Sequence, residues 1–344
     1  MSRPVSRVVR AGRVALPVDA RAVAFGSVTA AAALVVAVLT LTLGDLGVPL
    51  AELPSALLGG ADGTAAFVLE RLRGPRLATA LLAGALLGIS GALFQTVTRN
   101  PLGSPDVIGL GAGAGAGAAV AALAFPLAPA SVGAVAGAGV ATLLVFVGTG
   151  RGFRSPTRTI IAGIAVAALG YAVTQYVVST RLRDAASQLA AYLVGSLNAA
   201  DARDVLVTLG AVVLLVPAAA ALSRDVSLLA MGDDTAAGVG VDPDRTRTRA
   251  VVVSVLAAGA AVAATGPVAF VALTAPQIAR RLIRTSDASV VPAALTGALL
   301  LAVADLAAQQ APLVAGLPVG VLTLGVGGLY LGYLLVREHR RGRL

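Results

Sequence analysis

Between Ala22 and Val336 the chain alternates uncharged stretches with short arginine-bearing connectors. Residues 22–44, 77–98, 159–180 and 205–223 each lack Asp, Glu, Lys and Arg. A helix rises about 1.5 Å per residue, so each stretch can cross a hydrocarbon layer about 30 Å thick. The pattern predicts an all-α, polytopic membrane protein of about ten transmembrane helices.

The breaks place the spans. Span 1 covers about 22–44, and span 2 covers about 77–98 and ends at Arg99. The 44 uncharged residues from Val107 to Gly150 exceed one helix; the Phe125–Ser131 stretch, with Pro126 and Pro129, divides them into spans 3 and 4. Arg151, Arg154 and Arg158 mark a turn before span 5, which runs to about residue 180. Residues 185–200 are uncharged but too short to cross, and are expected as a helix lying at the outer surface. Span 6 covers about 205–223. The 30 uncharged residues 250–279 have arginine clusters on both flanks, which fits two crossings, spans 7 and 8, broken at Thr265-Gly266-Pro267. Spans 9 and 10 cover about 290–311 and 317–336. A basic N-terminus (1–21), a ten-helix domain (22–336) and a basic tail (337–344) result.

Charge orients this arrangement. The net charge of +9 rests on 26 arginines and no lysine. Twenty arginines fall on inner segments and six on outer ones, the asymmetry expected with both termini in the cytoplasm. Arg71, Arg73 and Arg76 run against it, on the outer side before span 2. The apolar run after the basic N-terminus is too long for a cleaved leader, so span 1 is expected to be retained. Arginines scattered through connectors do not make a nucleic-acid surface.

Missing residue types exclude several chemistries. The phosphate loop of common ATPases needs a lysine, so any ATP hydrolysis belongs to another chain. There is no cysteine, and the single histidine, His339, lies in the tail. With no ligand-type cluster in the spans, no bound metal or other cofactor is expected. Whatever passes is neutral or shields its own charge.

Four local patterns carry alternatives. Gly84, Ser90, Gly91 and Pro101 recur 175 positions later as Gly259, Thr265, Gly266 and Pro276, as either an inverted repeat of spans 2 and 7 or chance in so Gly- and Ala-rich a chain would produce. The glycines of Gly109–Gly117 fall on alternate residues, which fails the dinucleotide spacing and suits close helix packing, as do Gly133 and Gly137. Asp305, well inside span 9, is either a proton or cation relay or a protonated or helix-capping group facing the bundle. The segment Leu229–Val241 is either a solvated loop or a short helix opened by Asp233 and Asp234, closed by Gly238 and Gly240, that a partner grips.

Three blocks resemble a known family. The first is RLRGPRLATALLAGALLGISGALFQTVTRNPLGSPDVIGLGAGA, from Arg71 to Ala114. It matches at Arg73, Pro75 and Arg76, at Gly84, Ser90, Gly91 and Gln95, and at Asn100, Pro101, Leu102, Pro105, Asp106 and Gly109. The second, TGPVAFVALTAPQIARR, matches at Gly266, Pro267, Phe270, Val271, Leu273, Pro276 and Arg280. The third, ADLAAQQAPLVAGLPVGVLTLGVGG, matches at Asp305, Pro318, Gly320, Thr323 and Gly327. With these motifs the chain resembles the permease subunits of bacterial ABC importers for iron-siderophores, haem and vitamin B12. Gln277 stands where that family usually has histidine, Tyr192 where tryptophan is frequent, and Gln309 where arginine is common; Gly328-Leu329-Tyr330 replaces a proline-phenylalanine pairing.

The resemblance implies a non-catalytic permease in the bacterial inner membrane. It implies a dimer with a second permease chain, two cytoplasmic ABC ATPase subunits that use ATP, and an outer substrate-binding protein that delivers a siderophore-type ligand. Ala230, Met231, Gly232, Asp233, Asp234, Ala236 and Gly240 fall on the family's ATPase-coupling segment. Ser155 and Thr157 fall on its inner gate, and spans 5, 8 and 10 on its pathway. Haem or a cobamide is the alternative cargo. An ion-coupled transporter built on Asp305 and a structural scaffold are readings from other classes.

Overall fold

The computed structural model describes the whole chain except residues 1–6, 12, 13, 19, 61, 126–129, 151, 152, 154, 155, 181–192, 285–288 and 341–344. Ser155 and Tyr192 therefore lie outside the described residues.

Ten helices of thirteen residues or more carry the described fold: α1 (Ala20–Thr42), α2 (Arg73–Thr98), α3 (Leu110–Ala124), α4 (Ala130–Gly148), α5 (Pro156–Thr180), α6 (Ala202–Ala230), α7 (Pro243–Thr265), α8 (Val271–Ile283), α9 (Val290–Gln310) and α10 (Val319–Arg340). They fall where the ten spans are expected. Seven helical stretches are long and apolar enough to cross a membrane by length and composition, while Leu110–Ala124 and Val319–Tyr333 are shorter apolar helices. Helix α8 has only 13 residues, because its span is broken at 266–270. Ahead of the bundle, β1 (Arg7–Ala11) and β2 (Val14–Val18) pair as an antiparallel hairpin. The hairpin lies in the basic N-terminal stretch ahead of the ten helices, rich in β-branched valine.

Helix α2 is the axis. Eighteen of its 26 residues are buried, against five of 29 in α6. It packs on α6, α7, α8 and α9. The outward apolar faces elsewhere, such as Leu206, Val213 and Leu214 of α6, are exposed, as expected for a helix whose solvent is lipid. The stretch between α1 and α2 folds into short helical turns over Leu41, Val48, Leu53, Val68 and Leu77, a small second core.

Small residues set the closest approaches. A Cβ on Gly84 would lie 2.3 Å from the carbonyl oxygen of Gly297, and one on Gly88 2.1 Å from that of Ala293. Gly117 and Gly133 are pressed together in the same way, a Cβ on Gly117 falling 2.0 Å from the Gly133 oxygen. Gly113 and Gly117 of the run thus join α3 to α4, and Gly109 meets α5 at Gly163 and Ala167, the packing reading of that run.

Helices α2 and α7 pack with their midpoints joined by reciprocal hydrogen bonds. Ser90 Oγ donates to the Ser254 carbonyl at 2.6 Å, and Ser254 Oγ to the Ser90 carbonyl at 2.8 Å. The recurring residues take different settings in the two helices. Gly84 is clamped, whereas a Cβ on Gly259 meets nothing within 4 Å. Ser90 sits mid-helix, and Thr265 ends α7.

The arginines that run against the expected charge asymmetry find structural work. Arg73, at the start of α2, donates to the carbonyl of Thr40 at 2.9 Å and to that of Leu43, so it caps the end of α1. Arg76 grips Asp305 with Nε 2.9 and 3.0 Å from its two oxygens and Nη2 2.8 Å from Oδ1. Asp305 is therefore ion-paired, which corrects the protonated or capping reading.

Candidate functional site

The break between α7 and α8 builds the first part of the site. Thr265 ends α7, Gly266 follows at φ 67°, and Phe270 enters α8 in the left-handed region at φ 67°. A left-handed conformation at a bulky residue costs about 1–2 kcal/mol, so neighbours must hold it. Gly327 of α10 leaves the room: a Cβ there would fall 2.2 Å from Phe270 Cβ. The freed backbone groups are met by distant segments. Ser196 N donates to Thr265 O at 2.7 Å, and Gly320 N to Gly195 O at 3.0 Å. Leu193–Ala200 thus packs against the bundle, with Leu197 fully buried and Asn198 exposed, while residues 185–192 of the expected surface helix lie outside the described residues.

A cavity of about 610 Å³ opens beside this junction. Its polar lining comes from Asp106 and from Tyr171, Thr174 and Gln175 of α5, with the Pro267–Ala269 backbone and Gly320 opposite. Irregular backbone at membrane depth is tolerated where it is buried in protein or lines such a cavity. Sequence reasoning did not assign the α5 residues; their spacing of three and four, following Gly170, was the available signal. Ser104 Oγ sits 3.0 Å from Asp106 Oδ2 and caps the short turn begun by Pro105.

Toward the end bearing Arg99, Arg247 and Arg280, polar residues of the motif blocks knit α2 to α8. Gln95 Nε2 donates to Leu273 O at 2.8 Å, and Arg280 donates to Gln95 Oε1. Gln277 Nε2 donates to Pro101 O at 2.7 Å. Asn100 Oδ1 accepts from Leu102 N at 2.9 Å and shapes the turn after α2. A Cβ on Gly91 would lie 1.7 Å from Ala272 O, so α8 rests directly on α2 there. Pro276 lies within α8 itself.

The second part of the site is at that arginine-bearing end. Ala230 ends α6, Met231 caps it, and Gly232 turns the chain at φ 126° into a helix over Asp233–Gly238. Asp233 makes no capping bond; Arg247 holds it at 2.9 Å and Arg99 pairs with it as well. Arg99 also donates to Leu229 O at 2.8 Å. Desolvation opposes the Asp233 charge, but hydrogen bonds and attraction from Arg247 and Arg99 outweigh it and hold the carboxyl below the usual carboxylate range. Ala236 is buried under the helix, and Asp234, Met231, Val239 and Gly240 are exposed. A rigidly seated helix with an exposed rim is a surface that another protein can grip.

The remaining motif residues do not gather at one point. Arg73, Pro75 and Arg76 start α2, Ser90 and Gly91 lie at its middle, and Gln95 lies near its end, about 28 Å from Arg76 at 1.5 Å per residue. Pro318 accepts from Val321 N at 3.0 Å and opens α10. Thr157 is exposed in the first turn of α5. Among the described residues no group of three or more His, Cys, Asp or Glu forms.

The comparisons agree with this architecture. The model of the FecCD transport family matches residues 32–337. The ferric enterobactin transport system permease protein FepG of Escherichia coli (strain K12) is 40% identical over 289 residues, covering 83% of this chain and 88% of that protein. The Fe(3+) dicitrate transport system permease protein FecD of the same strain is 35% identical over 311 residues, covering 88% and 94%. The Fe(3+)-citrate import system permease protein YfmE of Bacillus subtilis (strain 168) is 33% identical over 321 residues, covering 90% and 96%. A solved inward-facing structure of a metal-chelate type ABC transporter shares the fold at TM-score 0.81, with 23% identity, over 91% of this chain and 99% of that one. The chain belongs to the FecCD transport family and is a multi-pass membrane permease.

Proposed function

We propose that this permease forms the membrane pathway of an ABC importer for iron(III) chelates of the siderophore class. The observation that carries the reading is the cavity at the broken helix, with walls of small and apolar residues and a sparse polar lining. Such a lining suits a cargo whose iron is already coordinated, as in the enterobactin and citrate complexes named for the relatives.

Membership of the family and the seated Asp233–Gly238 helix support the partners in this reading. The Ala230–Gly240 segment docks an ABC ATPase, and ATP is used there, with this chain contributing no cofactor and no covalent chemistry. A second permease, identical or paralogous, packs on the face formed by α5 and α10, where Ile161, Ile164, Tyr176, Leu324 and Leu329 are exposed. One pair of permeases then carries two ATPases. An extracytoplasmic binding protein delivers the chelate at the outer end, and both termini lie in the cytoplasm. Thr157, beside Ser155 in sequence, gates the inner end. ATP binding moves the ATPases and shifts the helices between two packings through the docked segment. Haem or cobamide import is the alternative within the same architecture.

Uptake in a strain lacking its own permeases, with its ATPase and binding-protein genes supplied, tests the reading. Radioactive iron presented as ferric enterobactin, ferric citrate or a hydroxamate complex is expected to accumulate for at least one chelate. Accumulation of haem or cobamide alone would replace the cargo, and uptake without any ATPase would reject the importer class.

A further inference from the structure

A second cavity, of about 530 Å³, lies away from the pathway. Its walls are α4, with Val135, Leu143 and Phe146, and α7, with Val252 and Leu256; Val207 of α6 adds to them. Of the helices lining the pathway cavity only α3 contributes here, through Leu110. All six wall residues are apolar, and most of them are exposed.

Two glycines hollow this groove. A Cβ on Gly139 of α4, or on Gly259 of α7, meets nothing within 4 Å, whereas Gly113 and Gly117 of α3 are clamped against backbone. Gly139 and Gly259 bring no helices together; they leave space for something else.

Charge selects the occupant. On α7 the positions Gly259, Leu256, Val252, Arg249 and Arg245 are spaced by three or four residues and form one stripe. The groove therefore continues into two arginines. Arg249 is exposed and makes no ion pair among the described residues. Arg245 is 77% exposed and meets only Asp242 of its own turn, at 3.2 Å, a pair of the weak solvent-screened kind. From Val252 to Ala263 the groove runs eleven residues along α7, about 16 Å, close to the hydrocarbon depth of one leaflet. An apolar slot one leaflet deep, ending at two cations, matches a phospholipid with an anionic head group.

We propose that this groove holds one anionic phospholipid of the leaflet on the arginine-rich side, an acyl chain along α7 and the phosphate at Arg249 and Arg245. A second copy of this chain fits less well, because it would bring an apolar helix face against unneutralised arginines.

Native mass spectrometry of the full-length chain in mixed micelles tests this, with phosphatidylglycerol and phosphatidylcholine of identical acyl chains as probes. One phosphatidylglycerol per chain is expected to be retained in preference to phosphatidylcholine. Arg249→Gln is expected to weaken that retention about fivefold, the share of a single arginine at an anionic surface. Gly259→Leu fills the slot and is expected to remove the retained lipid, and Arg284→Gln, off the groove, to leave it. Equal retention of the two lipids, unchanged retention in both groove variants, or an equal loss in Arg284→Gln would overturn the proposal. So would an altered oligomer mass in Gly259→Leu, which would put a protein in the slot, or inorganic phosphate raising Tm as much as the lipid does.

Discussion

Arg76 holds both carboxylate oxygens of Asp305, at 2.8 to 3.0 Å, and Gln309 Nε2 donates to the same carboxylate at 2.7 Å. The pair ties the first turn of α2 to the C-terminal half of α9. An aspartate in a span is costly to insert alone, and an arginine on the outer side runs against the charge asymmetry. Each explains the other. The Asp305 side chain is 2% exposed, so its charge is met by Arg76 and Gln309.

Asp305→Asn strands the guanidinium of Arg76 in a nearly closed site. Removing one member of a buried pair costs about 3–5 kcal/mol, and the low end applies here because Arg76 is 16% exposed. A lowered Tm in detergent is expected, with much of the loss recovered in Arg76→Gln/Asp305→Asn. Unchanged stability in the single variant would contradict the pairing.

The Ser90–Ser254 contact predicts non-additivity. Ser90→Ala and Ser254→Ala should each cost about 1 kcal/mol, since each removes a donor to the other helix. The double variant should cost less than the sum, as measured by chemical or thermal unfolding of the full chain.

Gly117→Leu drives a side chain into the Gly133 backbone, which cannot move aside as a flexible side chain would. A cost of about 1–3 kcal/mol or lost assembly is expected. Gly210→Ala, where a Cβ meets nothing within 4 Å, should be neutral or stabilise α6 by up to about 1 kcal/mol. Expression and Tm of the two variants separate a packing role from a tolerance of glycine in general.

Asp233 sets a pH dependence. Its carboxyl lies below the ordinary range of about 3.9, so it binds fewer protons in the folded chain than in the unfolded one. Its contribution is complete above that ordinary value and is lost as pH falls through the lowered one. Asp233→Asn removes the contribution at every pH and is expected to loosen the helix between α6 and α7. The expected readout is loss of cargo-stimulated ATPase activity in the assembled transporter, with basal hydrolysis retained.

Charge spacing made the ten helices legible, and the Thr265-Gly266-Pro267 break was visible because no helix continues comfortably through those residues. The alternate glycines were read correctly as packing, since their period ruled out a phosphate loop. The site was less legible. Arg76 and Asp305 are 229 residues apart, and nothing local to either points to the other. Asp233 looked like a helix cap, but Arg99 and Arg247 draw its carboxylate away from the backbone. Tyr171, Thr174 and Gln175 face the cavity because Gly163 and Gly170 press α5 against Val107 and Ala112. That choice of face depends on tertiary contact.

The junction of Gly195, Thr265 and Gly320 has a mechanical consequence. Main-chain bonds sew together pieces of chain from three remote regions, and a Cβ on Gly320 would sit 1.7 Å from Val194 O, so there is no slack for sliding. If the pathway alternates its openings as proposed, this knot travels as one block. Bending is then expected beyond it, in the stretches of α8 and α10 leading to Arg280 and Val336, which makes the knot a fulcrum and those helices its lever arms.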